Sequence, residues 1–304
     1  MSEHLSSEDL AALAEGRLSP ERLCSVVLHL EEPCEACLTS LSHFLGALLP
    51  DESEEVELTP EAIAAYETAI DRAFAVALEH DRKLHRREVE RALAILDMKG
   101  FEALERPLKG IGHLARFEAL LERSWSLRHE DHSRMIDLAQ AAVRVAKAFD
   151  AKTRGVKQAM DLRCRALAEL GNARRVAGQL DEAFDCFDRA IRLHNDGTGD
   201  AALRIRLLDL QASLAADRRQ FGLACLVLGY IHNYHLSKGS DHLAGRALIS
   251  QGLYKGYAGD AEEAVRLLKE GLELIDEERD PSLVLSAVHG QLCFLVEAGD
   301  FEKA

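Results

Sequence analysis

No run of 18 apolar residues occurs anywhere in the 304-residue chain, which excludes a membrane-spanning helix of ordinary length. The opening MSEHLSSEDL has neither a basic n-region nor an apolar h-region. No secretory signal is therefore expected, and the chain is expected in the cytoplasm. Strict apolar–polar alternation is also missing and β-branched residues are sparse, so strands are not expected. No nucleophile motif, phosphate loop or placeable carboxylate pair appears, so no enzymatic activity is expected. Gly110-Ile-Gly112-His-Leu-Ala115 has dinucleotide-like glycine spacing, but no strand precedes it and no βαβ pattern surrounds it.

Basic residues are outnumbered, 37 against 52 acidic ones, for a net charge of −15. The imbalance is local: residues 1–57 carry thirteen Asp/Glu against Arg17 and Arg22 alone. Such a field repels phosphate backbones and anionic membranes, so direct nucleic-acid or membrane binding by this part is not expected. A protein partner is. Seven cysteines without an export signal do not make a disulfide framework. Cys164, Cys186, Cys225 and Cys293 read as small core residues, whereas Cys24, Cys34 and Cys37 crowd together near the start.

What the chain has in abundance is helical pattern, and the expected fold class is all-α. Ser6 and Ser7 can cap a helix through Ala14, Ser19-Pro20 opens a second, and a third begins near Cys34. Asp51–Glu57 reads as an acidic linker. Thr59-Pro60 starts a helix expected to reach Leu96, with Ala64, Ile70, Phe74, Val76 and Leu78 as its apolar stripe. A hairpin at 112–150 should turn at His129–Ser133, with Trp125 in its core. His129/His132 and His232/His235 read as surface or capping groups, since neither pair has a third ligand.

A 40-residue repeat governs the second half. Gly178-Gln-Leu-Asp-Glu-Ala183 recurs as Gly259-Asp-Ala-Glu-Glu-Ala264 and Gly299-Asp-Phe-Glu-Lys-Ala304, with a weaker copy at Arg219–Ala224. Gly171 should let the second helix of its hairpin approach closely, and Ala183, Phe187 and Ala190 should line that helix. These residues resemble the tetratricopeptide repeat, which implies a helical-hairpin solenoid whose groove takes a protein or peptide. Ala304 falls at the start of an expected second helix. Leu285, Val288, Leu292 and Leu295 are then expected to lack cover, and the chain reads as a C-terminally truncated array.

One constellation carries metal chemistry. His29-Leu-Glu-Glu-Pro-Cys34-Glu-Ala-Cys37 offers two thiolates and an imidazole, the soft donor set that zinc takes in tetrahedral sites. His4 and Cys24 are both candidates for a fourth ligand. The stretch His4 … His29 … Cys34-x2-Cys37 resembles the zinc-binding N-terminal domain of zinc-containing anti-sigma factors, with an H-x4-C loop one residue longer than that family's usual form. The resemblance favours His4 as fourth ligand. It implies a bound Zn2+ and a sigma factor as sequestered partner, and in some members a thiol-oxidation sensor. The resulting division is a zinc module at 1–50, an acidic linker and helical spacer at 51–111, and the repeat array at 112–304. The expected role is that of a bacterial regulatory adaptor, with an assembly scaffold holding a purely structural zinc as the alternative.

Overall fold

The computed structural model describes residues 4–14, 60–149 and 155–300, and positions 18, 22, 26, 29, 34, 36, 37, 39 and 40. Among these, all regular structure is helical, and the extended backbone is limited to one isolated bridge between Leu108 and Ile111. That bridge occupies the Gly110–Gly112 loop, so the glycine spacing there belongs to a turn. The chain forms two compact units, Met1–Glu88 and Val89–Ala304.

In the first unit, α1 (Ser7–Ala14) starts where the Ser6 hydroxyl accepts the Asp9 N–H. Arg22, Val26 and His29 have helical backbone, as do 36, 37, 39 and 40. Leu10, Val26 and Cys37 are buried. Helix α2 (Pro60–Lys99) begins where Pro60 predicts and runs three residues past Leu96. Its expected stripe is not a buried one: Phe74, Val76 and Leu78 are exposed, and the side chains of Ala64 and Ile70 lie outside the described residues. The apolar spacing produces a helix there without a described neighbour to cover it.

The second unit is an all-α solenoid of consecutive hairpins. After the short α3 (Glu102–Glu105), α4 (His113–Ser126) pairs with α5 (His132–Lys147), and α6 (Val156–Val176) with α7 (Leu180–Asn195). Then α8 (Ala201–Asp217) pairs with α9 (Phe221–Ser237), and α10 (Asp241–Tyr257) with α11 (Ala261–Leu274). Helix α12 (Pro281–Glu297) packs on α10 and α11.

The repeat is a backbone device as well as a sequence pattern. At the end of α6 the Gly178 N–H bonds the Arg175 carbonyl and the Gln179 N–H reaches back to Arg174. The same paired closure recurs at 219–220, 239–240, 259–260 and 299–300. It is the Schellman cap, which needs a left-handed residue after the helix and so favours glycine. Gly178, Gly239, Gly259 and Gly299 supply it with φ of 77°, 64°, 89° and 78°. In the weak copy Arg219 takes this position with φ 58°, the one described non-glycine residue at positive φ.

The aligned Ala183, Ala224 and Ala264 are all fully buried, because a small side chain is required where the second helix meets the first. Ala304 lies outside the described residues. Gly171 has the expected role: a Cβ there would sit 2.7 Å from the Phe187 ring and 3.1 Å from Cys186 Cβ. The same logic is stronger in α10–α11, where a Cβ on Gly245 would lie 2.7 Å from the Gly271 carbonyl oxygen.

Three local expectations need correction. Trp125 is exposed rather than core, with the Arg128 guanidinium 4.6 Å above its ring. It falls on the solvent side of α4 while Phe117, Leu120 and Leu121 fill the inner side. Cys293 is exposed, whereas Cys164, Cys186 and Cys225 are buried. On α12 Leu285, Val288 and Leu292 are exposed as expected, but Leu295 is buried against its neighbours. The histidine pairs act locally: His132 Nε2 lies 3.0 Å from the Arg128 carbonyl and His232 Nδ1 3.1 Å from that of Ala244.

Candidate metal centre

His4, His29, Cys34 and Cys37 come together in the first unit, with one donor atom from each, all four within 4.8 Å of one another. His4 and Cys37 are 33 positions apart in the chain, so folding and not local sequence gathers them. His29 Nε2 lies 3.1 Å from Cys37 Sγ, and His4 Nδ1 lies 3.4 Å from Cys34 Sγ and 3.5 Å from Cys37 Sγ. The imidazole rings stand edge to face at 84°, their centroids 5.9 Å apart.

These spacings have a direct meaning. A tetrahedral ion with metal–sulfur bonds of ~2.3 Å and metal–nitrogen bonds of ~2.0–2.1 Å sets each N···S edge at about 3.5 Å. The two His4 separations match that edge, and the His29–Cys37 separation is shorter than it. Four N and S donors converging on one point are what a tetrahedral ion needs, so the residues present fit a bound metal.

The surroundings hold the donors in place. The Leu5 N–H donates to Cys37 Sγ at 3.3 Å, a bond that stabilises thiolate charge. Cys37 is buried, His29 and Cys34 are half-buried and His4 is exposed, so the site has an inner sulfur and an outer imidazole edge. Two residues after His4, Ser6 and Asp9 form a reciprocal cap. The Ser6 N–H and hydroxyl donate to Asp9 Oδ2 at 3.0 and 2.8 Å, and Ser6 Oγ accepts the Asp9 N–H. Arg22 then grips the same carboxylate. Its hydrogen bonds, with those of Ser6 behind them, hold the Asp9 carboxyl well below the usual carboxylate range.

All four residues singled out from sequence meet here; Cys24, the alternative fourth ligand, lies outside the described residues. Sequence reading missed the Leu5 amide and the Asp9–Arg22 clamp. The Ser6-x2-Asp9 spacing is a readable capping signal, but a main-chain N–H leaves none.

The second unit has a groove of its own. A cavity of about 680 Å³ is lined by α4, α6 and α8, the first helices of three successive hairpins. Leu114, Leu162 and Leu203 give it an apolar floor, with Arg165 and Arg206 at its sides. Both arginines are already engaged across hairpins, Arg165 with Glu118 at 3.1 Å and Arg206 with Glu169 at 3.0 Å. No described helix is long and apolar enough to cross a membrane.

No protein-family model and no curated protein matches this chain. Among solved structures it is similar to BtubC (BKLC) from P. vanneervenii, with a TM-score of 0.52 and 17% identity, over 75% of this chain and 87% of that one. At that identity the likeness is one of fold alone, an all-helical chain built of hairpins.

Proposed function

We propose that this protein is a regulatory, protein-binding adaptor in which a zinc-stabilised N-terminal module holds one partner and the helical array takes another. The observation that carries this reading is the convergence of His4, His29, Cys34 and Cys37, whose four donor atoms lie within 4.8 Å of one another. Two sulfurs and two imidazoles suit Zn2+ better than hard cations, which take oxygen ligands. The ion would supply a fixed tetrahedral centre, and the chain's own groups do the rest. Leu5 and the Ser6–Asp9 cap orient the His4 edge, and Cys37 anchors the inner edge.

In the finer form of the proposal, residues 1–96 sequester a transcription factor of the sigma class, as the resemblance to zinc-containing anti-sigma factors suggests. The hairpin array, tetratricopeptide-like in its Gly–Ala–Phe–Ala pattern, receives a protein or peptide in the groove along α4, α6 and α8. The acidic bias of residues 1–57 favours a basic partner surface. A second reading is supported by the burial of Cys37, a burial shared by Leu10 and Val26 of the same unit: the ion only holds the small module together, and the array collects partners as a scaffold.

Co-purification separates the two. The reduced, zinc-loaded chain should capture a sigma factor encoded in the same genome, and deleting residues 1–50 should abolish that capture. Failure of the zinc-loaded chain to bind any sigma factor, with the array still retaining protein partners, leaves the scaffold reading.

A further inference from the structure

Helix α9 contains no Asp, Glu, Lys or Arg in its 17 residues, FGLACLVLGYIHNYHLS. It is alone in this among the described helices, in a chain that is 29% charged. Ala224, Cys225, Leu228 and Ile231 bury one side of it against the array. The opposite side carries Leu223, Leu226 and Tyr230, spaced i, i+3 and i+7, with relative exposures of 52%, 74% and 51%. An exposed solenoid helix is ordinarily charged on this side, as α7 and α11 are with Asp181, Glu182, Glu262 and Glu263.

Beside this ridge lies a recess. Phe184 and Ile191 of α7, Leu214 of α8 and Leu223 of α9 give a cavity of about 150 Å³ its apolar walls, with Asp188 and Arg218 also lining it. Phe184 is itself half exposed at its rim, under the Arg218 guanidinium. Leu226 stands one helical turn beyond Leu223, so a protruding leucine and a largely apolar recess sit side by side on one face.

We infer that this face is a homodimer interface, in which a second copy of the chain packs α9 against α9 about a two-fold axis. Two observations select a second copy over other occupants. A surface with a ridge and a recess side by side is self-complementary under two-fold symmetry, each Leu226 entering the other copy's recess. The α9 ridge itself is uncharged and the recess beside it offers one charge of each sign, Asp188 and Arg218, so two chains of net charge −15 meet there without a surplus of like charge. The inference is independent of the metal centre.

Sedimentation velocity on the full-length protein, from about 1 to about 100 μM, covers the range expected of a modest interface. The mass should rise with concentration from one chain towards two, with or without a metal chelator. Leu226→Glu should stay at one chain throughout, with unchanged helical circular dichroism and melting temperature, because Leu226 makes little contact within its own chain. Tyr230→Glu supplies the same test from the next turn. A single-chain mass at the highest concentration would overturn the inference. So would a dimer that survives both substitutions, or one that dissociates only on chelation.

Discussion

The Arg22 guanidinium grips the Asp9 carboxylate through two parallel hydrogen bonds, Nε to Oδ1 at 2.8 Å and Nη2 to Oδ2 at 2.7 Å. Neither residue is a candidate ligand, yet the pair ties α1 to the chain at Arg22, seven positions before His29. Through the Ser6–Asp9 cap it fixes the segment carrying His4. Arg22→Ala should therefore weaken metal affinity about 10–100-fold while leaving every donor in place. Competition with a chromophoric chelator reads this directly, and an unchanged affinity would show that the clamp plays no part in the site.

The cysteines sort into classes by burial. Cys164 is enclosed in α6, where burial and the nearby Asp161 push its thiol up to about 12. Burial also raises Cys186 and Cys225. Cys293 is exposed, with His289 Nε2 3.7 Å from its sulfur. Iodoacetamide at neutral pH should label Cys293 first in the native, metal-loaded protein and leave Cys164, Cys186 and Cys225 unmodified until unfolding. Peptide mapping by mass spectrometry checks the order.

Gly245 and Gly271 set the spacing of α10 and α11, and the atom facing Gly245 is a main-chain oxygen that cannot rotate away. Gly245→Ala should cost about 1–3 kcal/mol, read as a fall of roughly 2–10 °C in melting temperature for a domain of this size. Gly259→Ala should be unfavourable for a different reason. Nothing lies within 4 Å of its would-be Cβ, but its φ is 89°. Arg219 shows that the left-handed cap is tolerated without glycine at one turn.

His235 and His242 are both pushed below the ordinary imidazole value by burial, His242 additionally by Arg279 and Arg246. The folded state thus favours the neutral rings. Their contribution is fully present above the unfolded value near 6.5 and is lost as pH falls from there towards the folded values. Melting temperature should decline between pH 7.5 and pH 5.5, and His242→Gln should flatten the decline. An identical slope in the variant would contradict this assignment.

Much of this was legible in sequence, for physical reasons that differ by element. The 40-residue period shows because each hairpin repeats a left-handed turn and a small buried residue, which Gly178/Ala183 and Gly259/Ala264 satisfy with distinctive amino acids. The candidate ligand set was readable because few residue types bind soft metals, and His29, Cys34 and Cys37 fall close together in the sequence. What escaped was whatever depends on which side of a helix finds a neighbour. Trp125 and the Phe74–Leu78 stripe follow helical periodicity yet face solvent, since periodicity defines a face and packing alone decides its burial. The Leu5 amide and the Arg22 clamp escaped because contacts across the fold leave no local pattern.

The central claim is that His4, His29, Cys34 and Cys37 hold a single ion. Elemental analysis of the purified full-length protein by inductively coupled plasma mass spectrometry tests it most directly. The account predicts about one zinc per chain, lost in His29→Ala and in Cys37→Ala, lowered in His4→Ala and retained in Cys24→Ala. Full zinc retention in both His29→Ala and Cys37→Ala would contradict it.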